Sequence, residues 1–112
     1  MKKKQIDIIL RNQHDFFEKG VTLDISFRIR ALQRLKACIK RNENAIHRAL
    51  QKDLGKSSYE SYMCETGMVY SEITYTLKHI RSFARDEHVP TPLAQFHAVS
   101  FTKPSPYGNV LI

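Results

Sequence analysis

SSYESYMCETGMVYSEITYTLKHIRSF, residues 57–83, is the stretch that decides the fold. Its largely apolar stripe recurs at intervals of three and four residues, the period of one face of an α-helix. Ser57 begins the stretch and Glu60 follows three residues later, which is the capping-box pattern that starts a helix. The sequence therefore predicts one amphipathic helix of about seven turns. The stripe comprises Tyr59, Tyr62, Met63, Thr66, Val69, Tyr70, Ile73, Leu77, Ile80 and Phe83.

Two more helices are predicted before this stretch. Residues 5–19 carry an imperfect apolar stripe, and Gly20 follows in the usual position just past a helix C-terminus. Asp24 or Ser26 can cap the next helix. Its apolar positions recur as far as Gly55. Residues 42–44, Asn-Glu-Asn, interrupt that pattern, so we expect either a bend or two abutting helices there.

The chemistry of the chain changes at Asp86. Pro90 and Pro92 do not fit inside a helix. Val99 and Phe101 alternate with polar residues, as a short half-buried strand would. The sequence thus predicts a helical region over residues 1–85 and a loop with strands over residues 86–112.

The last residues are apolar. Turn-forming residues 104–108 lead into Asn109-Val110-Leu111-Ile112, a run typical of the start of a buried parallel strand. Large apolar residues at this point need neighbours on both sides. We therefore expect one incomplete domain, mainly α in this chain, whose next element is missing.

The charge balance is basic, with a formal net charge of +7. The basic residues are spread along the predicted second helix, which favours a solvated helix face plus a basic tail over a polyanion-binding footprint. A stand-alone helical module that binds a partner protein or a polyanion is the alternative. The tail residues are Lys2, Lys3 and Lys4, and the helix carries, among others, Arg28, Arg30, Arg34, Lys36, Lys40, Arg41 and Arg48.

Cysteine and histidine usage predicts no metal site. Cys38 and Cys64 form no C-x-x-C pair, and no two histidines share a helix at the spacing of a metal pair. We expect both cysteines to be small packing residues. The five histidines are expected at the solvent-facing surface or its rim. Without a signal-peptide pattern or a membrane-length apolar run, a cytoplasmic protein is expected.

Four motifs in order resemble one family. Residues 17–22 with Phe27-Arg28, residues 49–56 (ALQKDLGK), the glutamates Glu65 and Glu72, and residues 106–112 (PYGNVLI) are similar to the opening of the class 3 group of aldehyde dehydrogenases. The resemblance covers nearly the whole chain, from about Ile6. It implies an N-terminal segment of an α/β fold, followed by a Rossmann-type cofactor domain that this chain lacks.

The resemblance also implies an activity. Members of the family oxidise aldehydes to carboxylic acids with NAD or NADP, using a cysteine nucleophile, an asparagine in the oxyanion hole and a glutamate that activates water. All three lie beyond the matched segment, so we expect no catalytic and no cofactor-binding residue in this chain, no bound NAD or NADP, and no activity of the chain alone. The parent is expected to be an oxidoreductase that forms a homo-oligomer, a dimer, and binds an aldehyde, without nucleic acid or membrane contact in this segment.

One pair of residues is a candidate for substrate contact. In class 3-like enzymes the long helix contributes to the tunnel by which the aldehyde reaches the cysteine, and the matching positions here are Cys64 and Met68. The related mammalian enzymes have a glutamate and a tyrosine there, so the tunnel would be less polar in this chain. Simple packing of Met68 is the alternative.

Overall fold

The computed structural model describes residues 3–111, most of which are helical. They form two compact units: one holds residues 26–80, and the other joins the described residues up to Ile25 with those from Arg81 onward. The predicted fold, mainly α with short strands near the C-terminus, is confirmed. Two residues used in the sequence analysis, Lys2 and Ile112, lie outside the described residues.

The second predicted helix is continuous. Helix α2 runs from Ile25 to Leu54 without interruption, so the prediction of two abutting helices at residues 42–44 is wrong. The side-chain amide of Asn42 donates a hydrogen bond to the Cys38 carbonyl oxygen, at 2.8 Å. This bond to the preceding turn gives the polar side chain a partner within the helix, and the helix continues through it.

Helix ends follow the local chemistry of the sequence. Helix α1 spans Lys3–Glu18, and Gly20 behind it has the left-handed φ of 70°. Gly55 ends α2 with a φ of 67°, and its N–H donates to the Gln51 carbonyl oxygen. Asp24, immediately before α2, has the extended backbone of a capping position. These predicted boundaries are confirmed.

The long amphipathic helix contains a turn that its periodicity does not predict. It begins with the confirmed capping box of Ser57 and Glu60 and comprises helix α3 (Ser58–Ser61), a π-turn (Tyr62–Thr66) and helix α4 (Gly67–Phe83). At the end of the π-turn, the Gly67 N–H donates to the Tyr62 carbonyl oxygen, five residues back. This one wide turn holds an additional residue within an otherwise regular helix.

Side-chain hydrogen bonds connect the two long helical segments of residues 26–80. The Lys36 ammonium donates to the Thr74 hydroxyl at 2.6 Å, and His47 bonds Thr66 at 3.1 Å. Because the later residue of α2 contacts the earlier residue of its partner segment, the two run antiparallel. Ile73 and Ile80 are the apolar side chains of the described chain that are classed as buried.

The other unit contains a β-hairpin. Strand β1 (Glu87–Val89) pairs antiparallel with β2 (Ser100–Thr102), with His88 opposite Phe101. Short 3-10 turns occupy residues 21–23 and 93–95. The strand near Val99 is confirmed, but its half-buried pattern is wrong. Val99 is 69% exposed and Phe101 is 51% exposed, because the hairpin has no second layer against that face among the described residues of this unit.

The apolar run near the end of the chain is largely exposed in its described part. Residues 109–111 form no strand, and Leu111 is 98% exposed. The strand predicted from Asn109 onward is therefore not formed in the described part of the run. Within residues 3–111, no helix is both long enough and apolar enough to cross a bilayer.

Replacement of Gly67 by alanine should destabilise the chain. A Cβ at this position would lie 2.6 Å from the Tyr62 carbonyl oxygen, a backbone atom that cannot move alone. Glycine to alanine inside a helix normally stabilises by roughly 1 kcal/mol. Here we expect a loss of about 1–3 kcal/mol, the usual cost of overpacking, measured by urea unfolding. Ser71→Ala, exposed on the same helix, is the control. A stabilised Gly67→Ala variant would contradict the π-turn.

The capping box should make stability depend on acid pH. The backbone N–H and the hydroxyl of Ser57 both bond the Glu60 carboxylate at 2.9 Å, and these bonds lower its pKa below the ordinary value of 4.5. A carboxylate with a lowered folded-state pKa stabilises fully above its unfolded value and loses that contribution as the pH falls. We expect Glu60→Gln to be less stable than the parent at neutral pH. The difference should shrink below pH 4.5. A stability difference that stays constant across that pH range would contradict the lowered pKa of Glu60.

Candidate substrate-entrance site

The two residues predicted to contact substrate lie close together on the long helix. Cys64 belongs to the π-turn and Met68 to the first turn of α4, four residues later. Both are exposed in this chain, Met68 by 60%. Tyr62 and Met63, also on the π-turn, are exposed as well. The structure therefore presents a largely apolar surface at the predicted positions.

The prediction that the cysteines are packing residues is wrong for this structure. Cys38 and Cys64 are both exposed and unbonded to one another. Cys38 receives a long contact of 3.6 Å from the Asn42 side-chain amide. Both thiols lie on outer faces of their helices. The apolar residues next to them in the sequence therefore do not indicate that the cysteines are buried.

An ion pair lies beside the candidate surface. The Lys56 ammonium, in the loop before α3, contacts the Glu65 carboxylate on the π-turn. This hydrogen bond is the main cause that raises the pKa of Lys56, and the charges of Glu65, Cys64 and Glu60 raise it further. Burial of the ammonium acts in the opposite direction. Because Lys56 and Glu65 are partly exposed, the pair orients the loop more than it stabilises the fold.

A polar cluster lies beneath the same turn. The Thr66 hydroxyl donates to the Glu43 carboxylate over a long 3.5 Å and contacts Nε2 of His47 at 3.1 Å. Glu43 and His47 are one turn apart on α2, so both side chains face the same partner. Thr66 is 4% exposed. His47 is half-buried, in agreement with the predicted rim position of the histidines, and its ring is bonded to Thr66.

Tyr70 adjoins this cluster one turn further along. Its hydroxyl oxygen is enclosed and has no hydrogen-bond partner of normal geometry among residues 3–111. Burial raises the pKa of the Tyr70 phenol, and the carboxylate of Glu43 raises it further. The phenol is therefore neutral at physiological pH and does not act as a base.

The enclosure of Thr66 limits the chemistry of the polar cluster. Thr66 is too enclosed for a substrate carbonyl to reach its hydroxyl, although His47 is in bonding distance. No three His, Cys, Asp or Glu side chains of the described chain gather as metal ligands would. None of its strands leads directly into a helix, the junction at which dinucleotide phosphates bind.

The polar cluster and the π-turn were not predicted from the sequence. Thr66 was counted within the apolar stripe, yet a hydroxyl at a helix-facing position is itself a sign of a polar partner across the interface. Glu43 and His47 have the i, i+4 spacing of two side chains on one face. Gly67 within a helical pattern was the local signal of an unusual turn.

Comparison with known proteins identifies the type of segment. No protein-family model matches the chain. The substrate-bound structure of Staphylococcus aureus AldH matches 91% of the chain with a TM-score of 0.86 and 35% sequence identity. The chain is similar to the N-terminal part of aldehyde dehydrogenases, among them members of family 3. The resemblance that the sequence motifs indicate is thereby confirmed.

Relatives of this chain come from distant organisms. It is 40% identical over 97 residues to 4,4'-diaponeurosporen-aldehyde dehydrogenase of Staphylococcus aureus. It is 36% identical over 103 residues to human aldehyde dehydrogenase family 3 member B1, and 32% identical over 107 residues to aldehyde dehydrogenase family 3 comG of Dictyostelium discoideum. These matches cover 87%, 92% and 96% of the chain, but only 21%, 22% and 23% of the respective relatives. The segment thus spans about a fifth of their length.

Replacement of Ser61 by alanine should leave stability unchanged or raise it. Ser61 is completely buried and its hydroxyl has no hydrogen-bond partner among the described residues. Removal of an unpaired buried hydroxyl avoids a desolvation cost of about 1 kcal/mol. The midpoint of thermal unfolding measures the change, with the exposed Ser82→Ala as control. A clear loss of stability in Ser61→Ala would show that the hydroxyl has a partner.

Proposed function

We propose that this chain is the helical N-terminal part of an aldehyde dehydrogenase that oxidises aldehydes to carboxylic acids with NAD or NADP. The observation that carries the proposal is the joint match in fold and sequence to AldH over 91% of the chain. The residues that perform the chemistry and bind the cofactor lie in the parts of the relatives that this chain does not span. The chain alone is therefore inactive and binds neither NAD nor NADP.

Within such an enzyme, this chain contributes one wall of the substrate entrance. Cys64 and Met68 form the candidate contact, supported by their exposure and their shared position on the long helix. Neither side chain carries a charge when Cys64 is a thiol. An apolar wall of this kind favours aldehydes with an apolar body over small, strongly hydrated ones.

The name of one relative agrees with an apolar substrate. The Staphylococcus aureus protein that is 40% identical over 97 residues is named for 4,4'-diaponeurosporen-aldehyde. We propose the same general preference, for aldehydes with a long apolar body, for the enzyme to which this chain contributes. We also propose that this enzyme is cytoplasmic and forms a homo-oligomer, a dimer.

A second function is favoured by the hairpin. Strand β2 pairs on one edge with β1, and within the described residues its other edge has no strand beside it. An exposed edge with apolar side chains can add a strand from another chain. The alternative is therefore an interaction module that pairs through Val99–Lys103 with a partner protein.

A chimeric enzyme tests the proposed function. The N-terminal segment of Staphylococcus aureus AldH that matches this chain is replaced by this chain, and formation of reduced cofactor is followed with NAD and with NADP. We expect the chimera to retain activity and to prefer decanal to acetaldehyde. AldH itself is the positive control, and AldH without the segment is the negative control.

The outcomes separate the two functions. A chimera that folds and assembles like AldH but oxidises no aldehyde with either cofactor would contradict the proposed function. Activity of the isolated chain would contradict its inactivity. Capture of an unrelated protein by the isolated chain, lost when Phe101→Lys is introduced on β2, would favour the interaction module.

A further inference from the structure

The π-turn determines the directions of the residues at the candidate entrance. Its hydrogen bond runs from the Gly67 N–H to the Tyr62 carbonyl oxygen, one residue further than in an α-helix. A wider turn changes the direction in which its exposed side chains, including Cys64, leave the helix axis. Single π-turns within α-helices occur frequently at functional sites, and here side chains from outside the helix contact the turn.

Those outside contacts meet at Thr66, the last residue of the π-turn. Glu43 and His47 approach the Thr66 hydroxyl from α2 at 3.5 Å and 3.1 Å. A threonine hydroxyl has one proton, and a carboxylate only accepts. The proton therefore goes to Glu43, and Nε2 of His47 carries the hydrogen that completes the pair. This assignment holds for the neutral ring with the proton on Nε2 and for the charged ring.

Because the Thr66 hydroxyl is enclosed, its two hydrogen bonds affect the conformation of the π-turn. Thr66 is 4% exposed, so water cannot easily replace a lost partner. The preceding residue Glu65 is held separately by Lys56. The π-turn is thus contacted from α2 at Thr66 and from the loop before α3 at Glu65, while the neighbouring Cys64 is exposed.

We infer that Thr66 is a positioning residue, held by His47 and Glu43, that keeps the π-turn in the form that directs Cys64 and Met68 toward the substrate entrance. The part of this inference that concerns substrate rests on the proposed function. The part that concerns the π-turn does not. Thr66 acts through its neighbours and touches no substrate.

Hydrogen exchange of the isolated chain tests the π-turn first. Thr66→Val keeps the shape of the side chain but removes the hydroxyl, so it leaves His47 and Glu43 without that partner. We expect exchange of the Gly67 amide to become about fivefold faster relative to that of Ile73, from the loss of one net hydrogen bond. Thr66→Ser retains the hydroxyl and should restore the parent ratio. Thr76→Val, half-buried on the same helix, is the matched control.

The chimera tests the consequence for substrate. We expect Thr66→Val in the chimera to raise the KM for decanal about fivefold while kcat for decanal and both constants for acetaldehyde stay unchanged. A uniform fall in kcat for both aldehydes would show a merely structural role and overturn the inference.

The hydrogen-exchange and the kinetic measurement can each contradict their part of the inference independently. If the Gly67:Ile73 exchange ratio of Thr66→Val equals that of the parent, the positioning role is overturned whatever the chimera does. If Thr66→Val unfolds the chain, His47→Gln replaces it, because the Gln amide retains a donor near Nε2; its ratio should match the parent, and His47→Leu should raise the ratio. An inactive parent chimera with the expected exchange result refutes the proposed function and the substrate part of the inference, but not the role in the π-turn.

Discussion

The antiparallel pairing of α2 with the long helix beside it is the constraint on which residues 26–80 depend. The pairing is joined at two places by polar bonds, from Lys36 to Thr74 and from His47 to Thr66. Few apolar side chains are fully enclosed; Ile73 and Ile80 are those in the described chain. Polar bonds across a helix interface contribute modestly in free energy, but they define the alignment of the helices, since a shift by one turn leaves enclosed groups without partners.

Local chemistry explains which parts of the fold were predictable. Gly20, Gly55 and the Ser57–Glu60 box act within one helical turn, so their effect can be read from neighbouring residues alone. The continuity of α2 through Asn42 was not predictable in this way. Its amide bonds the carbonyl of the preceding turn, and a polar residue that bonds inside the helix does not end it.

Features that depend on contact with a second structural element could not be predicted from the sequence. Val99 and Phe101 have the alternation of a half-buried strand, yet burial requires a layer against the strand, and none is present among the described residues of its unit. The cluster of Glu43, His47 and Thr66 unites positions 23 residues apart. At the candidate site, periodicity predicts the helix that carries Cys64 and Met68, and a family resemblance gives their proposed role. Neither predicts the π-turn.

The π-turn also changes how related chains should be compared. A π-turn holds one residue more than the α-turn it replaces, and one residue corresponds to about 100° of rotation around a helix. If the additional residue is deleted, the turn can return to regular winding, while α4 beyond Gly67 keeps its phase toward α2. A single-residue gap within positions 62–66 would thus preserve the facing surfaces of the helix pair. Correspondence between relatives at this point follows three-dimensional superposition more faithfully than ungapped counting along the helix.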